Sequence, residues 1–147
     1  MTKAIYFDMD GTIANFYGVD GWLNDLINEN TRPYKTAKPL LNMNALARRL
    51  NTLQRNGYKI GIVSWLSKSG SENFNKAVTE TKLEWLSKHL HSVRFDEIVI
   101  VPYGVPKSEV VKNSNGILFD DEEPNRKNWK GKAYDESKIM EILKAVA

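Results

Sequence analysis

Ala4-Ile5-Tyr6-Phe7-Asp8-Met9-Asp10-Gly11-Thr12 runs four apolar residues into two carboxylates set two positions apart, with a glycine directly behind them. Side chains alternate along a strand, so Asp8 and Asp10, at i and i+2, share a face where the strand ends. Gly11 lets the backbone turn sharply and leaves amides, those of Met9 and Gly11, free to bind an anion. The pattern suits phosphate chemistry. One carboxylate attacks phosphorus to give an acyl phosphate, splitting one hard displacement into two easier ones, while its neighbour moves the proton. Two anions facing a phosphate dianion repel it, which calls for a hard cation with oxygen ligands, Mg²⁺ first among them. Two plainer readings compete. A calcium loop needs Asp or Asn at its fifth position and Glu at its twelfth, where this chain has Thr12 and Val19. An ordinary acidic turn after a strand stays open on this stretch alone.

Outward from that strand, short apolar runs alternate with segments of helical period. Strands are predicted at Ala4–Asp8, Lys59–Ser64, Glu97–Val101, Ile117–Phe119 and, most weakly, Lys132–Tyr134. Met43, Leu46, Ala47, Leu50 and Leu53 repeat at helical spacing before Gly57, giving a crossover helix with a stop signal. A second helix is predicted over 71–90 with Phe74, Val78, Thr81 and Trp85 on one stripe, and a third carries Ile139, Ile142, Leu143 and Val146. These stripes are core faces. Alternation of this kind predicts an α/β, Rossmann-like three-layer sandwich around a mostly parallel five-stranded sheet.

Composition bounds the rest. A chain of 147 residues with 41% apolar content fits one domain spanning 1–147. Zero cysteines exclude disulfides and thiolate metal sites and suit a reducing compartment. His89 and His91 are the only histidines and read as surface or partly packed residues near a helix end. A strand this early leaves no room for a signal peptide, and no apolar run nears membrane-spanning length, so a cytoplasmic protein is expected. The net charge of +3 neither demands nor opposes a nucleic-acid partner.

Three further features bear on the first stretch. Ser64 ends the second strand, where its hydroxyl and the next amide, that of Trp65, can donate to a phosphate oxygen. Lys107 follows the third strand and opens a helix, so its ammonium can reach across the strand ends to offset negative charge. Ile117-Leu118-Phe119 drives into Asp120-Asp121-Glu122-Glu123, four consecutive acids that are costly unless solvated or beside a cation.

Taken in order, these residues resemble the four motifs of the haloacid dehalogenase superfamily, over nearly the whole chain. Ligands of such sheets bind at the carboxyl ends of the strands. The resemblance implies Asp8 as nucleophile, Asp10 as general acid and base, Ser64 and Lys107 as phosphate-binding residues, and Lys107 also as a catalytic cation. It further implies Mg²⁺ held by the Asp8 carboxylate, the Asp10 carbonyl and one acid of the fourth motif, with Asp121 favoured as direct ligand and Asp120 as a water-mediated one. An aspartate at position 10 separates phosphatases from dehalogenases in that superfamily and so implies phosphomonoester hydrolysis.

Ile117-Leu118-Phe119-Asp120-Asp121-Glu122-Glu123-Pro124-Asn125 is similar to the fourth motif of the deoxyribonucleotidase-like branch, which makes a nucleoside monophosphate the leading substrate. That branch inserts a helical cap where this chain has only residues 14–42, predicted to hold little beyond a short helix at Trp22–Glu29. Phe16, Tyr17, Trp22 and Tyr34 there either stack on a base or form a miniature core, and Arg32 and Lys35 meet either phosphate or water. Trp65 either stacks on substrate or covers the site. Arg126, Lys127, Lys130 and Lys132 around Trp129 keep a polynucleotide-end phosphatase in view. A phosphotransferase would need the same residues, and the rival from another class is a non-catalytic module on this scaffold that binds phosphate, nucleic acid or protein.

Overall fold

The computed structural model describes residues 2–146. Strand β1 (Ala4–Phe7) lies at the centre, with β2 (Lys59–Trp65) and β3 (Glu97–Val101) on one side and β4 (Ile117–Phe119) and β5 (Ala133–Tyr134) on the other. The order is β3-β2-β1-β4-β5 and every pairing is parallel. Parallel neighbours require crossovers, supplied by α3 (Met43–Arg55) after β1 and α4 (Glu72–His89) after β2. Asn42 starts α3 by accepting the Ala45 amide at 3.0 Å, and Ser71 starts α4 by accepting that of Phe74 at 3.1 Å. The C-terminal helix α7 (Ile139–Val146) follows a 3₁₀ turn at Glu136–Lys138.

Helices make the two sheet faces unequal. On one face Ile5, Phe7, Ile62 and Phe119 pack with Leu46 and Leu50 of α3, Leu86 of α4 and Leu143 of α7. The other buries Ala4, Tyr6, Val63 and Leu118 under Trp129, with Val110 of the short helix α5 (Lys107–Val110) and Val111 half-buried beside them. Trp129 meets Tyr6 edge-on at 5.6 Å and donates its indole N–H to the Gly116 carbonyl at 2.9 Å. It is a core residue, and this overturns its predicted place in an exposed basic stretch.

Register sets the strand ends level. Phe7 is opposite both Ile62 and Phe119, so the residues that follow, Asp8, Val63-Ser64 and Asp120, emerge at one edge. Observed boundaries differ from the predicted ones by a residue. β1 stops at Phe7, although Asp8 still donates its amide to Phe119 at 2.9 Å; β2 runs on to Trp65; β5 begins at Ala133.

Residues 14–42 hold a 3₁₀ turn (Phe16–Gly18) and two helices, α1 (Trp22–Ile27) and α2 (Arg32–Thr36), one helix more than the sequence predicts. Phe16 and Tyr34 are buried against Phe74 and Val78 of α4, with Trp22 partly buried beside them. Glu29, whose φ of 53° is left-handed, ties the turn between α1 and α2 to the start of α4: its carboxylate accepts both the amide and the hydroxyl of Ser71 at 2.7 Å. Those bonds hold the Glu29 carboxyl below its usual range. His89 is half-buried on Trp85, 4.4 Å between rings, and His91 is exposed. Among the described residues no helix is long and apolar enough to cross a membrane.

Candidate active site

Asp8 is only 7% exposed and Asp120 is fully buried, and Lys107 joins them. Its ammonium lies 3.0 Å from Asp8 Oδ1 and 2.6 Å from Asp120 Oδ2. The chain reaches this arrangement through Gly104, at φ +90°, and Pro106, which caps α5 so that Lys107 is its first residue. Burial pushes the Lys107 ammonium down, but the charges of Asp8 and Asp120 outweigh it and hold it above its usual value. Asp120 also accepts the Glu122 amide at 3.0 Å and the Asn125 side chain at 3.2 Å, while Arg126 donates to its carbonyl at 2.9 Å. Asn125 and Arg126, on α6 (Glu123–Lys127), therefore fix the fourth acidic stretch from below. Arg126 was predicted as part of a basic surface; here its guanidinium holds the backbone of the site.

Thr12, also fully buried, couples the first stretch to the fourth. Its hydroxyl donates to Asp8 Oδ2 at 3.0 Å and accepts the Asp121 amide at 3.1 Å. One carboxylate oxygen each from Asp8, Asp120 and Asp121 falls within 4.8 Å of the others, a hard-oxygen set of the kind divalent cations take. Gly11 permits the approach: it has φ +83°, and a Cβ there would collide with the Asp121 carboxylate. Its amide was predicted free for an anion, yet it donates to Ala14 at 2.8 Å because the turn must close on itself. Met9 turns its side chain into the core, leaving only backbone for the cleft.

Asp10 points to a second lysine that sequence reasoning missed. Lys82 of α4 is 1% exposed and stands 3.0 Å from Asp10 Oδ2, 2.7 Å from Ser64 Oγ and 2.7 Å from the Trp65 carbonyl. Burial nonetheless holds the Asp10 carboxyl above its usual range, with Lys82 pulling the other way. The missed signal is a charge on a stripe that otherwise reads Phe74, Val78 and Trp85; Thr81, predicted on that stripe, is only half-buried.

These groups open into a cleft of about 280 Å³ whose walls include Asp8, Asp10, Ser64, Lys107 and Asp121. Its outer rim carries Tyr17 and Tyr103, both about half exposed, and Trp65, 4.8 Å from Tyr103 and bonded through its indole N–H to Val105 at 2.8 Å. Phe16 and Tyr34 line the inner wall of the cleft and also form the miniature core with Phe74 and Val78. Arg32, predicted to meet phosphate or water, is held by Asp25 and the Asp20 carbonyl.

No family model matches the chain, and no curated protein matches it in sequence. Among solved structures it is similar to the D,D-heptose 1,7-bisphosphate phosphatase of B. bronchiseptica, crystallised with magnesium and phosphate, at a TM-score of 0.59 and 11% identity over 99% of both chains. The two chains share one fold. It is the α/β, Rossmann-like fold that the sequence predicts, now with five parallel strands.

The acidic cluster gives this fold a pH signature. Burial, and next the charge of Asp8, push Asp120 up to about 6 and Asp121 up to about 8, from an ordinary 3.8. Between those values the folded state keeps protons that the unfolded chain has lost, so stability falls as pH rises through the window. In chelator, the melting temperature is expected to drop from pH 5 to pH 8.5; a flat or rising profile across that range would contradict the geometry.

Proposed function

We propose that this chain is a Mg²⁺-dependent phosphomonoesterase of the haloacid dehalogenase type that works through a phosphorylated Asp8. The observation that carries the reading is Asp8 itself: a buried carboxylate at a cleft floor, held by Lys107 and Thr12, with Asp10 and Asp121 also facing the cleft. Asp8, Asp120 and Asp121 fit a hard cation, since all three offer oxygen, and burial first and the charge of Asp8 next make Asp120 and Asp121 weaker acids than usual, an excess of crowded negative charge that a cation would relieve. Asp121 suits direct ligation, because Asp120 is already engaged by Lys107, Asn125 and the Glu122 amide. Bound there with the Asp10 carbonyl, Mg²⁺ would offset repulsion between the carboxylates and a phosphate dianion.

The residues then divide the work. An Asp8 oxygen attacks phosphorus, the ester P–O bond breaks, and Asp10 delivers its proton to the leaving oxygen; in the second half Asp10 takes a proton from water, which attacks phosphorus and frees Asp8 and inorganic phosphate. Burial raises the Asp10 carboxyl above its usual range, the direction that favours a proton donor in the first of these steps. Lys107 and Ser64 offset charge on the phosphoryl oxygens. A nucleoside monophosphate is the leading substrate: Tyr17, Trp65 and Tyr103 at the rim offer faces for a planar base. In this reading residues 14–42 act as a small cap on one domain, and the cysteine-free chain works in the cytoplasm.

Phosphate release from p-nitrophenyl phosphate and a panel of nucleoside monophosphates, with Mg²⁺ and with chelator, tests the reading. Metal-dependent release supports it; none from any compound, with Mg²⁺ bound to folded protein, favours the non-catalytic module. Asp10→Asn is expected to slow turnover on the order of 10² to 10⁴-fold while calorimetry still finds Mg²⁺ binding, since the carbonyl ligand is retained.

A further inference from the structure

Lys82 sits where the pattern of α4 calls for an apolar side chain. Burying an ammonium is unfavourable unless each proton finds an acceptor, and a leucine or methionine would fill the space between Val78 and Trp85 without that demand. Its three protons meet three acceptors, Asp10 Oδ2 at 3.0 Å, Ser64 Oγ at 2.7 Å and the Trp65 carbonyl at 2.7 Å, and its charge lies 5.4 Å from the centre of the Tyr34 ring. Two of those acceptors are cleft-lining groups with roles in phosphoryl transfer, and neither touches Lys107. The two lysines thus serve separate halves of the site: Lys107 holds Asp8 and Asp120, and Lys82 holds Asp10 and Ser64.

We infer that Lys82 is a positioning residue that presets both the proton-transferring face of Asp10 and the donor direction of the Ser64 hydroxyl. The inference rests on the phosphatase reading given above. An ammonium donates and cannot accept, so Ser64 Oγ must accept from Lys82, and the one hydroxyl proton of Ser64 is turned away from it, toward the cleft. For Asp10, anchoring Oδ2 leaves Oδ1 as the oxygen that meets the leaving group. Without Lys82 both side chains regain rotamers that aim elsewhere, and a misplacement of this kind is costly in rate even when the reacting groups remain. The Trp65 carbonyl completes the clamp by fixing the ammonium to the end of β2.

The test compares kcat/KM of wild type and Lys82→Met on p-nitrophenyl phosphate, whose leaving group departs readily as an anion, and on glycerol phosphate, whose alkoxide needs the proton from Asp10. The expected loss is on the order of 10²-fold for the alkyl ester and several-fold for the aryl ester. In an Asp10→Asn background the same change should no longer alter the ratio between the two substrates. Equal losses on both esters, or a ratio that shifts as much without Asp10, overturn the inference and leave Lys82 a structural residue. Should Lys82→Met not fold, Lys82→Gln, which keeps a donor at the site, is read by the same ratio. A wild type with no Mg²⁺-dependent release from either ester removes the phosphatase reading and this inference with it, whereas an active wild type with an unchanged ratio in the variant removes this inference alone.

Discussion

Asp8→Asn is expected to abolish phosphate release, with a fall on the order of 10⁴-fold or more, and yet to leave a folded protein. The amide is isosteric with the carboxylate, and its oxygen can still accept from Lys107, now 3.0 Å away, so the clamp around it persists. What disappears is the proposed nucleophile. The same change removes the charge that helps push Asp120 and Asp121 upward. In chelator above pH 7 the variant should therefore melt higher than wild type, an opposite movement of activity and stability that a simple folding defect would not produce. A single-turnover assay with acid quench would show the matching loss of phosphorylated protein. Retained turnover would move the nucleophile elsewhere.

Lys107→Met is expected to damage both fold and activity. It removes the cation between two buried carboxylates, and breaking a buried pair from one side typically costs about 3–5 kcal/mol, because the remaining charges stay uncompensated. Urea unfolding at pH 8 should register that loss. At pH 5, where Asp120 and Asp121 are largely protonated, the deficit should shrink, and Mg²⁺ should restore part of it at the higher pH. An exposed lysine such as Lys127, paired only with Glu123 on the surface of α6, is the control, with an expected change of about 0–1 kcal/mol. Equal deficits at the two sites would show that the Lys107 pair adds nothing beyond a surface contact.

The residues that sequence made legible are those whose meaning is local. Strand ends are marked by an apolar run giving way to a polar residue, and in a parallel sheet those ends meet at one edge, so Asp8, Ser64, Lys107 and the acids from Asp120 onward could be gathered without coordinates. Lys82 could not be, because its place is decided by how α4 crosses the strand ends, 18 residues after the serine it holds. Only its position on an apolar stripe hinted at burial. Thr12 was visible as part of a motif but not as a bridge, since a hydroxyl gives no sign of which carboxylates it will meet. Trp129 was misread for the opposite reason: Lys127, Lys130 and Lys132 beside it are exposed while it packs inward on Tyr6, a contact that tertiary structure alone creates. The segment 14–42 lacked a long periodic stripe, and its helices form through the small aromatic cluster and the Glu29 contact rather than from propensity.

The central place of β1 also governs when the buried cluster around Asp8 can assemble. Thr12 and Asp121, which join the two acidic stretches, are 109 residues apart in sequence, and β1 gains its second neighbour only when β4 pairs with it. During synthesis Asp8 is made 99 residues before the Lys107 that clamps it, so neither that ammonium nor the three-carboxylate cluster with Asp120 and Asp121 can form around it until the later stretch has emerged. Closing such distant parallel strands is slow compared with forming helices, so the carboxylate cluster can assemble no earlier than this pairing. For the same reason a proteolytic cut that removes the segment from β4 onward would leave three strands with Asp8 but without Asp120 and Asp121, so the cluster would be lost outright rather than weakened.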